Sequence, residues 1–395
     1  MTEPSVPKSY HALRAIHGRC AAMDFSDGRG YDRSLVKGAE AAVNEVLAVK
    51  KDERVLIISN PNREVRMISM ALYDATENAG GKPVLMYQVE KGHFDFAEES
   101  VVKAMASEPD IVLSISSDRL GKDMWGLKHG YKGKKRKYDH IFDQLYEEKR
   151  MRSFWSPGVT LDTFSRTVPI DYTRLRADCK RLSRILTSCD SVHVTAPGGT
   201  DIVIGAKGRK ARADDGDFRT RGRGGNVPSG EVYISPALGT ANGTIAYDGS
   251  IVVDKGEVVI RKPIVVDVKD GYITRISGGS EAAALKKTVS MAEAKARKMV
   301  SDGLLKPDAG KTYARNASSI GELGIGLNRK ARIVALMLED EKVYGTCHFA
   351  VGSNYDGDAE SLIHLDGLVK RPTITAVGGS GKETMIMADG RLSWD

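Results

Sequence analysis

Apolar positions change their spacing partway along the chain. Ala, Val and Leu recur at helical intervals over residues 35–49, and residues 10–22 read as an earlier helix. Residues 54–59, RVLIIS, then form a continuous apolar run of strand length that ends in the turn-forming Asn60-Pro61-Asn62. A helical pattern over 65–79 closes on Gly80-Gly81, and a strand follows at 83–88. In this strand–helix–strand unit the right-handed crossover makes the two strands parallel. The pattern repeats with a helix at 98–106, a strand at 111–115, a helix at 138–151 and a strand at 152–156. It predicts an α/β domain with an open, mainly parallel sheet carrying helices on both faces. A long helix over 171–187, with Leu175, Leu182, Ile185 and Leu186 on its apolar stripe, leads out of that domain.

Past residue 190 the helical period gives way to short strands punctuated by Gly-Gly, Asp-Gly and Pro-Gly pairs. Strands are expected at 191–195, 201–204, 243–247, 264–269, 272–277 and 333–338, followed by the region of His348 and a C-terminal hairpin. One helix, 280–300, interrupts them, and Ser280-Glu281 suits its start. The chain thus divides into a Rossmann-like N-terminal α/β domain, 1–190, and a strand-rich α+β C-terminal domain, 191–395. Two domains also suit a length of 395 residues.

Composition adds little to this outline. Hydrophobic residues make up 41% and charged residues 28%, ordinary values for a water-soluble globular chain. No run approaches the roughly 18 apolar residues of a membrane span. The N-terminal MTEPSVPKSYHALRA lacks a basic segment followed by an apolar core, so no leader is expected. Cys20, Cys179, Cys189 and Cys347 have neither zinc-finger nor redox spacing, which suits reduced thiols and a cytoplasmic protein. The net charge of +7 is concentrated in Lys128–Lys137, KHGYKGKKRK, a run that usually marks a solvated loop. No nucleic-acid-binding motif accompanies it, so nucleic acid is not an expected partner, and neither is a membrane. A nucleotide site is not indicated either, because the first strand is followed by no glycine-rich phosphate cradle and no P-loop occurs.

Candidate chemistry sits in Gly345–Asp366, GTCHFAVGSNYDGDAESLIHLD. Residues 346–351 and 361–368 read as strands on either side of a Gly/Asn/Asp turn cluster, and pairing them brings His348 towards His364 and Asp366. His364 and Asp366 are two apart in a strand and share a face. Two imidazoles and a carboxylate suit a divalent transition metal; a His–Asp hydrogen bond in a turn is the plainer account. Cys347 points the other way from His348 and reads as a packing residue. Glu231, in GNVPSGEVYISP, and Glu322, in GELGIGLN, each stand alone among glycines and aliphatics. Each is either a surface turn glutamate or a buried carboxylate whose cost a bound cation would offset.

Five blocks of the chain in order resemble the metal-dependent aminopeptidases of the aminopeptidase T and aminopeptidase S type, more closely the shorter leucyl aminopeptidase branch. They are GTDIVIGAKGR at Gly199–Arg209, NVPSGEVYISP at Asn226–Pro236, ELGIGLN at Glu322–Asn328, EDEKVYGTCHFAVGSN at Glu339–Asn354 and IHLDG at Ile363–Gly367. The resemblance covers most of the chain from about residue 50. It implies a homodimer and two divalent ions (zinc, cobalt or manganese) held by Glu231, Glu322, His348, His364 and Asp366. It further implies hydrolysis of the N-terminal residue of short peptides or small amides by a metal-activated water. Glu322 is the candidate for a shared ligand and proton-shuttling role. Tyr355 falls near the place of an active-site tyrosine of the longer branch, although the intervening turn is shorter here, and could donate to the oxyanion. The basic segment 128–137 is not among the blocks that carry the resemblance. The same fold also hosts a mononuclear iron(II) enzyme that opens dihydroxypyridine rings and keeps the His-x-Asp pair without the full carboxylate set. A ring-cleaving dioxygenase, a hydrolase of non-peptide amides and a non-enzymatic metal-binding scaffold are therefore the alternatives.

Overall fold

The computed structural model describes residues 30–92, 95–134 and 136–395. The helix expected at 10–22, Cys20 and the N-terminal stretch read for a leader lie outside the described residues. Strands Arg54–Ser59, Lys82–Tyr87, Ile111–Ile115 and Arg152–Trp155 pair in parallel, with Arg54–Ser59 and Ile111–Ile115 in the middle. Both central strands are buried almost throughout, as near-continuous Val/Ile/Leu runs require in a sheet covered on both faces. Helix Arg63–Asn78 buries Val65, Ile68, Leu72 and Ala75 at intervals of three and four, the stripe the sequence predicts. A fifth strand, Gly224–Asn226, returns from much later in the chain to pair in parallel with Arg152–Trp155.

The strand-rich second half forms two antiparallel sheets. One has eight strands and carries Ser191–Thr195, Asp201–Gly205, Asn242–Tyr247, Ile264–Lys269, Tyr272–Ser277 and the C-terminal strands. The other has seven strands. Across it run Gly256–Val259, Ser250–Val253, His364–Lys370, Thr346–Gly352, Ile320–Gly326, Glu231–Ile234 and Arg212–Asp214. One apolar cluster joins helix Tyr172–Ser188, through Leu175, Leu182 and Leu186, to Val232, Leu323, Ile325 and Phe349 under this second sheet.

Three expectations change. The strand expected over 333–338 is a loop entering the short helix Met337–Asp340, because the Asp340 carboxylate accepts the backbone N–H groups of Val334 and Ala335 at 2.8 and 3.0 Å. Those donors are lost to any ladder. The helix expected over 138–151 is only Ile141–Glu147, since Tyr138 pairs with Tyr131 in a small hairpin and His140 caps the helix through its ring nitrogen. A second helix, Pro307–Asn316, follows Ser280–Ser301; its start is a proline, which fits the first turn of a helix. The basic run occupies helix Met124–His129 and the hairpin Tyr131–Lys132/Lys137–Tyr138, with Arg136 paired to Glu147 at 3.2 Å.

Candidate metal centre

The seven-stranded sheet places its polar residues by register. Ala350 stands opposite both Glu322 and Asp366, Gly352 opposite His364, His348 opposite Gly324, and Glu231 opposite Gly326. Residues paired across strands share a face. Glu231, Glu322, His348, His364 and Asp366 therefore project from one side. The other side presents Val232, Leu323, Ile325, Cys347, Phe349 and Val369 to the core, with Cys347 fully buried among them. A β-bulge between Ile320 and Glu322 makes this possible: Ile320 pairs with Val351 on the core face, whereas Glu322 pairs with Ala350 on the polar face. The extra residue, Gly321, re-aims the strand.

Small residues make room on the polar face. A Cβ on Gly324 would lie 1.9 Å from Nε2 of His348, so the imidazole rests directly over that glycine. Gly324→Ala is accordingly expected to expel the ring and to lower metal uptake while the fold persists. Metal analysis beside circular dichroism checks this, and unchanged uptake would show that the ring position is immaterial.

All five predicted residues come together. Nε2 of His348 lies 3.2 Å from Oε1 of Glu322 and 3.5 Å from Oε2 of Glu231; Nε2 of His364 lies 3.3 Å from both Oε2 of Glu322 and Oδ1 of Asp366. Two groups converge closely enough to hold an ion, Glu231–Glu322–His348 and Glu322–His364–Asp366, and Glu322 belongs to both. Nδ1 of His364 donates to the Ser353 carbonyl at 2.8 Å, which leaves Nε2 of the neutral ring with its lone pair towards the carboxylates. Oε2 of Glu231, Oε2 of Glu322, Oδ1 of Asp366 and Nδ1 of His348 are buried without a hydrogen bond. Buried polar atoms rarely go unpaired. Three such carboxylate oxygens at one spot, with imidazole nitrogens beside them, fit a hard-to-borderline divalent ion.

Without metal the cluster is an ion-pair network. Burial favours neutral rings, yet the Glu322 contact and the nearby Glu231 and Asp366 charges push His348 up to about 9. Burial is likewise outweighed at His364, which Asp366 and Glu322 hold well above its usual value. Asp366 goes down to about 2, because the His364 charge overcomes the effect of burial. A ligating imidazole must be neutral and a ligating carboxylate ionised, so metal uptake at pH 7 is expected to release about three protons, from His348, His364 and Glu231. Affinity should accordingly rise with pH towards about 9. A titration in weak buffer reads the release directly, and proton-neutral uptake would remove the histidines from the ligand set.

Lys342, Asp214 and Tyr233 also belong to the site, and none of them is assigned a role from the sequence. Lys342, fully buried, reaches Oε1 of Glu231 at 2.7 Å, Asn226 at 3.4 Å and Asp214 at 3.5 Å, and also bonds Glu341. One ammonium cannot neutralise three carboxylates: burial pushes Asp214 up to about 7 against the pull of Lys342. Burial and the Glu341 charge together push Glu231 up to about 8. Tyr233 lies on the same face, opposite Gly324. The only available signal was the acidic run Glu339–Glu341 just before Lys342. Tyr355 is 53% exposed, and its ring stands 5.1 Å from His364 and 5.2 Å from Tyr233. Its carbonyl accepts from Arg212 at 2.7 Å, while Arg212 and Arg209 hold Asp356 and Asp358 of the same loop.

A largely buried cluster of carboxylates and imidazoles on an antiparallel sheet makes a candidate metal centre in a chain that also carries a parallel α/β sheet. Residues 159–380 match the model of the NicX family, 2,5-dihydroxypyridine 5,6-dioxygenase, and with more than half its length matched the chain belongs to that family. Two solved structures share the fold. One is the 2,5-dihydroxypyridine dioxygenase from Pseudomonas putida KT2440, with a TM-score of 0.65 and 16% identity over 91% of this chain and 97% of that one. The other is wild-type AmpT from Thermus thermophilus, with a TM-score of 0.62 and 16% identity over 91% of this chain and 99% of that one. No curated protein matches the sequence. Among the described residues no helix is long and apolar enough to cross a membrane.

Proposed function

We propose that this chain is a metal-dependent aminopeptidase-like hydrolase that removes the N-terminal residue of short peptides or small amides at a two-metal site. The observation that carries this reading is the position of Glu322 in both converging groups, which suits one carboxylate shared by two ions. Zinc, cobalt or manganese would suit the donor set, held by Glu231, Glu322 and His348 on one side and by Glu322, His364 and Asp366 on the other. When bound, such ions supply Lewis-acid polarisation of the scissile carbonyl and a water that ionises near neutral pH.

The chain's own groups do the rest. Glu322 is buried and contacted by both histidines, and it moves the proton from the attacking water to the leaving amine. Tyr355, at the exposed edge beside His364, presents its phenol to the carbonyl oxygen as negative charge develops there. Tyr233 and Tyr355 wall the site, and the Arg209 and Arg212 contacts hold the Tyr355 loop in place. A homodimer enclosing the site would restrict entry to small substrates and exclude bulk water.

Family membership favours a second reading, a mononuclear iron(II) ring-cleaving dioxygenase. Such a centre commonly uses two imidazoles and one carboxylate. His348, His364 and Asp366 project from the same face and could serve as such a set, while the sharing of Glu322 by both converging groups supports the hydrolase. The two readings separate in one set of assays. The hydrolase takes up about two equivalents of metal, cleaves aminoacyl anilides or dipeptides, and spares their N-acetylated forms, since acetylation blocks the amine. Oxygen uptake with iron(II) and a dihydroxypyridine, without peptide cleavage, would replace it with the dioxygenase. Mass in solution tests the dimer.

A further inference from the structure

The two halves of the candidate centre are not electrostatically alike. Glu322, His364 and Asp366 have no lysine or arginine paired with them among the described residues, although the Lys342 charge also acts on Asp366, less than the His364 and His348 charges do. Glu231, in the other half, already shares a carboxylate oxygen with the buried Lys342 ammonium at 2.7 Å. Lys342 is fixed where it is: its carbonyl accepts the N–H of Asn328 at 2.8 Å, and its own N–H donates to Glu339 at 3.0 Å. Its ammonium is also bonded by Glu341 and lies 3.5 Å from Asp214 and 3.4 Å from Asn226. Those contacts hold the charge beside Glu231 and leave Oε2 of Glu231 as the oxygen that faces His348.

Resting on the two-metal reading, we infer that Lys342 is a positioning residue whose fixed positive charge makes the two metal subsites unequal. The subsite Glu322–His364–Asp366 fills first. The subsite Glu231–Glu322–His348 fills second and more weakly, because an arriving cation meets a carboxylate already partly neutralised and a like charge behind it. Lys342 at the same time orients Glu231, tying down one oxygen so that the other stays directed into the site.

The test is a titration of the metal-free full-length protein with cobalt(II), read by calorimetry and by visible absorption. Wild type should take two equivalents whose affinities differ by at least about tenfold, a modest part of what a like charge at contact distance exerts. Lys342→Met should tighten the second equivalent much more than the first and so narrow the gap, whereas Lys342→Arg, which keeps the charge, should preserve the wild-type gap. Because Lys342→Met removes the counter-charge of the buried Glu231 and Asp214 and of the partly buried Glu341 and could fail to fold, Asp214→Asn supplies the opposite arm. It withdraws a competitor for the ammonium, leaves Lys342 more fully on Glu231, and should weaken the second equivalent alone. Two equivalents with an unchanged gap in Lys342→Met, or an unchanged second affinity in Asp214→Asn, would overturn the role of Lys342 while leaving the two-metal reading intact. Fewer than two equivalents in wild type would overturn that reading itself, and this inference with it.

Discussion

Glu322→Ala should empty both halves of the metal centre at once and take the activity with it. Glu322 is the one residue common to both converging groups, and each of its oxygens faces a different imidazole, Oε1 towards His348 and Oε2 towards His364. Removing it deprives each subsite of a carboxylate and leaves the two histidines without their shared partner. Metal-based charge stabilisation is worth several kcal/mol of barrier, so turnover should fall by about a thousandfold or more. His348→Ala and Asp366→Ala each strike one subsite only. They should also abolish turnover, yet each should retain part of the metal that Glu322→Ala loses. Metal analysis on dialysed protein beside a peptide assay ranks the three. Wild-type metal content and rate in Glu322→Ala would sink the shared-carboxylate assignment, and with it the reason for preferring a hydrolase.

Much of this arrangement was legible because strand geometry is periodic. The two-residue spacing of His364 and Asp366 fixes their common face whatever the fold, and the turn-rich 353–360 makes pairing with Thr346–Gly352 the simplest outcome. The central parallel strands were readable for the same reason, since Arg54–Ser59 and Ile111–Ile115 are apolar without interruption. What the sequence hid is non-local or lies in side chains that compete with the ladder. Gly224–Asn226 has no strand character of its own and pairs only because Arg152–Trp155 offers an open edge. The stretch at 333–338 is apolar enough for a strand, but Asp340 takes its backbone donors. Glu231 and Glu322 were ambiguous alone, because no local pattern tells a buried carboxylate from a turn glutamate; the bulge at Gly321 decides it for Glu322. The role of Lys342 could not be read, although it sits in the block Glu339–Asn354, since its partners Glu231, Asp214 and Asn226 lie more than a hundred residues away.

A second large effect is expected at Glu339, which ties the short helix Met337–Asp340 to the helix Leu161–Thr167. Glu339 is fully buried and accepts four hydrogen bonds: from the Thr163 hydroxyl at 2.6 Å, from the two terminal nitrogens of Arg166 at 2.6 and 3.1 Å, and from the Arg332 backbone at 2.7 Å. Arg166 is largely buried as well, so Glu339→Ala strands a guanidinium, a hydroxyl and an N–H together. Breaking one side of a buried pair costs about 3–5 kcal/mol, because the surviving charge is left uncompensated. Arg166 keeps Asp162 at 2.6 Å, but that carboxylate is exposed to water and holds the charge less firmly. Glu339→Gln, which retains acceptor capacity but loses the charge, should fall between wild type and alanine. The effect also reaches the site, because the Lys342 backbone N–H donates to the Glu339 carbonyl and Glu339 is one of the anchors of the turn from Met337 to Lys342, beside the Met337–Glu257 and Ser250–Asp340 hydrogen bonds. Denaturant unfolding of the metal-free protein measures the loss, and cobalt titration of the same sample measures the slackening of Lys342. A Glu339→Ala protein within about 1 kcal/mol of wild type, a loss typical of an exposed ion pair, would mean that the buried network adds little and that apolar packing through Phe164 holds the helix in place.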